Sequence, residues 1–161
     1  MSNTLVALAH GFEEIEAVTP IDLLRRAQID VTIASLEDQL LLKGRNGISL
    51  QADAYFKDVV DQSFDLVLLP GGPGHVTLRK HSGLLHKLMG QAAEGGWIGA
   101  ICAAPTVLKD AGLLGGKRFT GHFTISEELP DRISDRAVVR DGKIITSQGA
   151  GTALRFGLEL I

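Results

Sequence analysis

The stretch GWIGAICAAPT, residues 96–106, carries the strongest structural signal in the chain. Its apolar run predicts a buried strand over 97–101, which ends at Cys102, the only cysteine in the sequence. The residues that follow predict a helix over 103–111. A strand that turns sharply into a helix at a nucleophile presents that side chain to backbone N–H groups, and the helix dipole favours negative charge there. We therefore predict a nucleophile elbow whose thiol ionises more easily than a free thiol.

The sequence on either side of this stretch repeats the pattern of strand followed by helix. Residues 5–9 and 66–69 are continuous apolar runs, as expected of strands buried on both faces, and 31–34 predicts another short strand. Apolar residues at helical spacing occur over 13–27 and over 78–93, where an interruption is predicted near Ser82-Gly83. This alternation predicts a doubly wound α/β fold with a mostly parallel sheet, covered by helices on both faces. We expect one domain over residues 1–161.

Turn signals and one proline complete the expected order of elements. Asn46-Gly47 and Asp141-Gly142 lie between short apolar runs and predict hairpins. A short strand and loop is predicted over 119–122, and a last helix starts at Thr152. Pro20 leaves two possibilities for the first helix. Either Pro20 is the first helical residue, capped by Thr19, or the helix starts near Glu13 and is kinked at Pro20.

Composition argues against several classes of function. A net charge of −3 with no cluster of lysines or arginines gives no support for binding nucleic acid or an anionic membrane. The apolar run near the N-terminus is too short to span a bilayer. A single cysteine excludes an internal disulfide and fits a reducing compartment, so we expect a cytoplasmic protein. The spacing of histidine, cysteine and glutamate suggests no metal site.

Three predicted strand ends carry side chains or backbone groups that can do chemistry, and in such a sheet these ends meet at one edge. An acidic cluster, Glu13, Glu14 and Glu16, follows the first strand. It is either a helix-start preference or the source of one inward, protonated carboxyl that donates a hydrogen bond to the thiolate. Gly71-Gly72 is either a tight turn or a source of N–H groups that join that of Ala103 in an oxyanion hole.

The two remaining candidates each have an ordinary structural explanation. Cys102 is either the predicted nucleophile or an inert, buried small residue, and the strand–cysteine–helix context favours the nucleophile. His122 is the only histidine after Cys102 in the chain. Taken alone, it is more typical of a surface or capping residue than of a base.

Four blocks of sequence, in this order along the chain, resemble one protein family. They are AHGFEEIE at 9–16, LPGG at 69–72, AICAAPT at 100–106 and TSQGAGT at 146–152. Together they resemble the ThiJ/PfpI superfamily, in particular its parkinsonism-associated deglycase branch, the "DJ-one" proteins. The resemblance implies a flavodoxin-like sandwich that forms a homodimer. Members generally continue into a further C-terminal segment, which the sequence ending at Ile161 is expected to lack.

The resemblance also implies roles for individual residues. The catalytic cysteine falls on Cys102, the protonated glutamate on Glu16 and a nearby histidine on His122. The oxyanion donors are the backbone groups of Gly72 and Ala103, and Gly71 serves the turn itself.

Two departures from related branches argue against peptide and amide hydrolysis. The protease-like branch has a histidine directly after the cysteine, where this chain has Ala103. Class I glutamine amidotransferases use Gly-x-Cys-x-Gly and a late His-x-Glu. Here Ala100 and Ala104 flank the cysteine, and the residue after His122 is Phe123.

We therefore expect a cofactor-independent cysteine enzyme that acts on reactive dicarbonyls, of the glyoxalase or deglycase type, converting methylglyoxal to lactate in stress protection. The alternative is an oxidative-stress chaperone and redox sensor that uses the same cysteine without turnover. A third possibility is a flavodoxin-like binding module with an inert cysteine. Thiol titration separates it from the other two.

Overall fold

Strands of apolar sequence form the centre of the computed structural model, which describes residues 2–161. The strands are β1 Asn3–Leu8, β2 Asp30–Ser35, β3 Leu41–Lys43, β4 Ser49–Gln51, β5 Ala54–Tyr55, β6 Leu66–Leu69, β7 Trp97–Ile101, β8 Val138–Asp141 and β9 Ile144–Ser147. In the described part of the chain they form a seven-stranded sheet of order β5-β2-β1-β6-β7-β9-β8 and a separate β3–β4 hairpin. Neighbouring strands of the large sheet are parallel except β8 and β9. The predicted mostly parallel sheet is confirmed.

Helices cover both faces of this sheet. They are α1 Glu14–Arg26, α2 Phe56–Val59, α3 His75–Lys80, α4 Ser82–Ala93, α5 Pro105–Asp110 and α6 Ala153–Glu159, with short 3-10 helices at Phe123–Ile125 and Ala150–Thr152. Alternate residues of β1 point to opposite faces, because side chains alternate along a strand. Leu5 packs in the core that α4 and α5 cover, and Val6 packs in the core that α1 and α6 cover. This two-sided burial explains the continuous apolar runs.

The first helix starts at Glu14 and continues through Pro20, which confirms a start near Glu13 and shows that Pro20 is not the first helical residue. The Glu13 side chain caps the helix by accepting a hydrogen bond of 2.9 Å from the Glu16 backbone nitrogen. Pro20 has no N–H group and leaves the Glu16 carbonyl without its usual partner in the helix. At this point α6 packs closely beside the helix. A Cβ atom on Gly157 of α6 would lie 3.2 Å from the Pro20 Cα.

Some predicted boundaries differ from the structure, and two short elements were not predicted. The break in the predicted 78–93 helix falls at His81, whose Nδ1 accepts a 3.0 Å hydrogen bond from Leu84 N and so caps α4. The helix after Cys102 starts at Pro105 rather than at Ala103. The sequence also gave no indication of β5 and α2, two elements of only a few residues.

The strand predicted over 119–122 is wrong, because this segment forms no strand. Hydrogen bonds that involve side chains replace the backbone hydrogen bonds that a paired strand would form. The Thr120 nitrogen donates to Thr146 Oγ1 at 2.9 Å, and Thr120 Oγ1 donates to the Ile133 carbonyl at 2.6 Å. The segment is therefore a loop fixed to the sheet by one buried threonine.

Candidate active site

A pocket of about 380 Å³ lies at the carboxyl ends of β1, β6 and β7. In a parallel sheet these ends meet at one edge, and ligands bind there. The pocket is lined by Glu13, Glu16, Arg45, Asn46, Gly72, Pro73, His75, Cys102, Ala103, His122, Thr124 and Ala150. The structure thus brings together the site residues that the family resemblance implies, which are Cys102, Glu16, His122, Gly72 and Ala103. A volume of this size accommodates a small organic substrate.

Cys102 lies in a turn directly after β7, with φ of +66°. A cysteine rarely adopts this left-handed backbone conformation, which persists only where surrounding contacts impose it. Here the Cys102 nitrogen donates to the Ser147 carbonyl at 2.9 Å, and the Cys102 carbonyl accepts from His122 N at 2.8 Å. These bonds fix a strained nucleophile elbow, the geometry predicted from residues 96–106.

The three glutamates of the acidic cluster are buried and serve three different functions. Glu13 caps α1, as described above. Glu14 points to the β3–β4 hairpin, where its Oε1 atom accepts a 2.7 Å hydrogen bond from Asn46 N. Glu16 points into the pocket, and its Oε2 accepts a 3.1 Å hydrogen bond from Gly71 N. Of the two interpretations of the acidic cluster, the geometry supports the one in which a single carboxyl points inward, beside the thiol.

Burial raises the pKa of Glu16 from 4.5 to about 7, and the nearby charge of Glu13 acts in the same direction. Hydrogen bonds from the Cys102 thiol and from the Gly71 and Ala150 backbones oppose this shift without cancelling it. Glu16 therefore holds its proton at pH values where an exposed glutamate has lost it.

The pKa of the Cys102 thiol is also raised, to about 12. Burial is the largest cause, and the charge of Glu16 and its hydrogen bond to the thiol act in the same direction. Backbone N–H groups of Gly72 and Ala103 hydrogen-bond to the sulfur and lower the pKa by less. While Glu16 is charged, the thiol is therefore harder to ionise than a free thiol. This is the opposite of the direction predicted from the elbow alone.

The hydrogen bond between Glu16 and Cys102 makes the two groups titrate as a pair. When the pair has lost one proton, the remaining negative charge can lie on the carboxylate or on the sulfur. With the charge on sulfur, Glu16 keeps its proton and donates a hydrogen bond to the thiolate, which the N–H groups of Gly72 and Ala103 also stabilise. A thiolate in this site thus depends on a protonated Glu16.

The two adjacent glycines are each required for a different physical reason. Gly72, with φ of +83°, is the residue whose left-handed conformation the turn requires. Gly71 is needed for close approach, because a Cβ atom there would lie 2.5 Å from Glu16 Oε2 and 2.6 Å from Cys102 Cβ. Close approach is thus a reason for glycine at position 71 in addition to the turn, and Gly72 presents its N–H to the sulfur as expected.

His122 lies beside the pair, and both border Gly149. A Cβ atom on Gly149 would lie 3.3 Å from His122 Cδ2, 3.6 Å from Glu16 Oε1 and 4.0 Å from Cys102 Sγ. The His122 Nδ1 is 2.9 Å from Thr124 Oγ1. Burial, followed by the charges of Arg132 and Arg45, lowers the pKa of His122 from 6.5. The imidazole is therefore neutral near pH 7.

Several residues of the pocket lining had no assigned function in the sequence, among them Arg45, Asn46, His75 and Thr124. The turn at Asn46-Gly47 was predictable, but its position against the pocket was not. That position depends on hydrogen bonds to Glu14, which lies far away in sequence. His75 and Thr124 carry no local motif that marks them.

Within residues 2–161, no three histidine, cysteine, aspartate or glutamate side chains are grouped so that they could hold a metal ion. Across the same residues, no helix has both the length and the apolar character needed to cross a membrane.

Known proteins resemble the chain over almost its whole length. A sequence model described as the DJ-1/PfpI family matches residues 2–161. Protein DJ-1 homolog A of Arabidopsis thaliana is 41% identical over 98% of this chain, which covers only 41% of that protein. A Caenorhabditis elegans protein named glutathione-independent glyoxalase DJR-1.2 is 35% identical over 92% of this chain, which covers 81% of it.

A solved structure shows the same architecture. Toxoplasma gondii DJ-1, described as oxidized, superposes with a TM-score of 0.95 and 36% sequence identity, covering 100% of this chain and 89% of that one. The predicted doubly wound, flavodoxin-like fold is thereby confirmed.

Proposed function

The chain belongs to the DJ-1/PfpI family, and we propose that it is a cysteine-dependent glyoxalase that converts methylglyoxal to lactate without a cofactor. One observation carries this proposal: the elbow thiol of Cys102 is hydrogen-bonded to the buried carboxyl of Glu16, beside the N–H groups of Gly72 and Ala103. A relative named glutathione-independent glyoxalase supports the reaction class.

The first step is addition of the thiolate to the aldehyde carbon of methylglyoxal. A carbon–sulfur bond forms, the carbonyl π bond breaks, and the aldehyde oxygen gains the negative charge. The N–H groups of Gly72 and Ala103 are available to stabilise this oxygen, and Glu16 supplies the proton that completes the hemithioacetal.

The second step moves a proton from the former aldehyde carbon to the neighbouring carbon. A base removes the C–H proton to give an enediolate, and reprotonation at the former ketone carbon gives a lactoyl thioester on Cys102. Glu16 is the better-supported carrier of this proton, because its pKa of about 7 suits a group that must both accept and donate near neutrality. His122, neutral and in the same pocket, is the second candidate.

Water then attacks the thioester, breaks the carbon–sulfur bond and releases lactate and the free thiol. Over the cycle, methylglyoxal and one water become lactate, so no electron acceptor or thiol cofactor is consumed.

The deciding experiment measures lactate formed from methylglyoxal by the wild-type protein and by Cys102→Ser. We expect lactate from the wild type and a rate near the uncatalysed background from the variant. Equal rates for the two proteins would rule out the mechanism. Circular dichroism of both proteins checks that the variant is folded.

A second function, redox sensing by a stress chaperone, is favoured by the structure described as oxidized DJ-1 in Toxoplasma gondii. Peroxide would convert the Cys102 thiol through the sulfenic to the sulfinic acid, and the donors around the sulfur would stabilise the sulfinate. Mass spectrometry after mild peroxide treatment tests this, with aggregation suppression measured in parallel. Oxidation of the half-exposed Met89 while Cys102 stays reduced would exclude it.

The homodimer and the cytoplasmic location expected from the sequence stay predictions, as does the absence of nucleic-acid and membrane partners.

A further inference from the structure

The turn of the β3–β4 hairpin brings one arginine to the pocket that contains Cys102. The turn is tied to the loop after β1, because the Arg45 nitrogen donates to the Phe12 carbonyl at 2.9 Å. Gly11 N likewise donates to the Lys43 carbonyl at 2.8 Å. The backbone that carries Arg45 is therefore fixed relative to the first strand of the sheet.

The side chain of Glu14, on α1, fixes the same turn by hydrogen bonds. Its Oε1 accepts from Asn46 N at 2.7 Å, and its Oε2 accepts from Asn46 Nδ2 at 3.0 Å. Gly44 packs directly on the carboxyl group, where a Cβ atom would overlap it. A buried carboxylate on α1 thus holds the turn, so the position of Arg45 at the pocket is built into the fold.

Arg45 is exposed and lines the pocket together with Cys102, and its charge acts on His122 in the same pocket. Among residues 2–161, no carboxylate lies within ion-pair distance of the Arg45 guanidinium. Arg132, which donates to the Gly121 carbonyl at 3.4 Å, adds a second positive charge near His122. The Glu13 carboxylate also lines the pocket, but it accepts the Glu16 N–H at the start of α1.

We propose that Arg45 selects substrates that carry a carboxylate next to the carbonyl group attacked by Cys102. The inference rests on the proposed function only in taking Cys102 as the nucleophile. A neutral dicarbonyl forms no ion pair with the guanidinium, which then stays hydrated. A carboxylate can form a charge-assisted, bidentate pair with it. The covalent step is unchanged: sulfur bonds to the carbonyl carbon, and the carbonyl oxygen takes its proton from Glu16.

Alkylation of Cys102 by a charged and a neutral reagent tests this selection without requiring turnover. Iodoacetate carries a carboxylate, iodoacetamide does not, and both form a carbon–sulfur bond and release iodide. The ratio of their rates at Cys102, compared with the ratio for a free thiol such as N-acetylcysteine, reports the charge that the pocket presents. We expect Arg45→Gln to lower this ratio roughly three- to tenfold, and added salt to lower it in the wild type.

Two further variants make the test specific. Arg45→Lys retains the charge and should keep most of the wild-type ratio. Arg140→Gln removes an exposed charge that lies over Trp97, outside the pocket, and should leave the ratio unchanged. An unchanged ratio in Arg45→Gln, or an equal fall in Arg140→Gln, overturns the inference. A protein that forms no lactate yet shows the Arg45-dependent ratio would overturn the proposed function and leave this inference standing.

Discussion

The Oε2 atom of Glu16 lies 3.1 Å from the backbone nitrogen of Gly71, so the first helix and the turn after β6 meet at the carboxyl group that faces the thiol. One hydrogen bond thereby joins two of the strand ends that form the pocket. The group at its centre is buried and titrates near neutrality, which couples the stability of the fold to the chemistry of the site.

The Glu16 carboxyl should make the protein less stable as pH rises from about 4.5 to about 7. Its pKa is higher in the folded than in the unfolded chain, so the folded state binds more protons in this window and loses stability as they leave. Glu16→Gln keeps an acceptor for Gly71 N and cannot ionise. Relative to wild type, this variant should gain roughly 3 kcal/mol between pH 4.5 and pH 8, measured by urea unfolding.

The matched control for this measurement is Glu127→Gln, which changes an exposed glutamate in the loop after Phe123–Ile125. Its pH–stability curve should run parallel to that of the wild type. A Glu16→Gln curve that also runs parallel would mean that folding does not raise the pKa of the Glu16 carboxyl.

The alkylation rate of Cys102 should rise through an inflection near pH 7 and change little from there to about pH 9. The reason is that the Glu16–Cys102 pair loses its first proton near pH 7, and part of the resulting charge lies on sulfur. A second rise is expected only as the pH approaches about 12. Iodoacetamide kinetics between pH 5 and 9 measure this. A rate that rises tenfold per pH unit throughout the range would show a neutral thiol and count against Cys102 as nucleophile.

Gly71→Ala should disable the site while leaving the sheet intact. The added Cβ would lie 2.5 Å from Glu16 Oε2 and 2.9 Å from the Ile101 carbonyl oxygen, so the carboxyl must move away from the thiol. We expect a loss of about 1–3 kcal/mol in stability and of about 100-fold or more in lactate formation. Gly115→Ala is the control, since a Cβ there meets no atom within 4 Å. Comparable activity loss in both variants would contradict this account of Gly71.

Arg79 should hold the pocket wall that contains His122. Its guanidinium binds Asp110 at the end of α5 and Glu128 in the loop after Phe123–Ile125, each at a shortest distance of 2.6 Å. Arg79→Gln removes both pairs and should raise the KM for methylglyoxal more than it lowers kcat, with about 1–2 kcal/mol lost in stability.

The exposed pair Arg26–Asp22 within α1 provides the comparison for Arg79. Arg26→Gln should change stability by about 0.5 kcal/mol or less and leave KM at the wild-type value. A KM for Arg79→Gln that equals the wild-type value would mean that the apolar packing of Ile125 and Leu129 alone positions the wall.

The parts of the fold that sequence predicts well are those determined by local pattern. The strands at Leu66–Leu69 and Trp97–Ile101 are continuous apolar runs because both of their faces are buried. Such a run can be recognised in the sequence alone. The elbow at Cys102 was predictable for the same reason, because it lies where such a run ends.

The parts that sequence did not predict depend on contacts between distant residues. The position of Arg45 follows from hydrogen bonds between Glu14 and the hairpin turn, and no local motif encodes them. The direction of the thiol pKa shift depends on how deeply Cys102 is buried and on the charge of Glu16, and both are tertiary effects that outweigh the nearby N–H groups.

The left-handed backbone at Cys102 means that stability and chemistry favour different residues at this position. Glycine would adopt the same φ without steric strain, and the relief is worth about 1 kcal/mol. Cys102→Gly should therefore make the fold more stable while removing the only thiol of the chain. The cysteine at this backbone site costs the fold stability, and the reactivity that we propose for Cys102 supplies a reason for that cost.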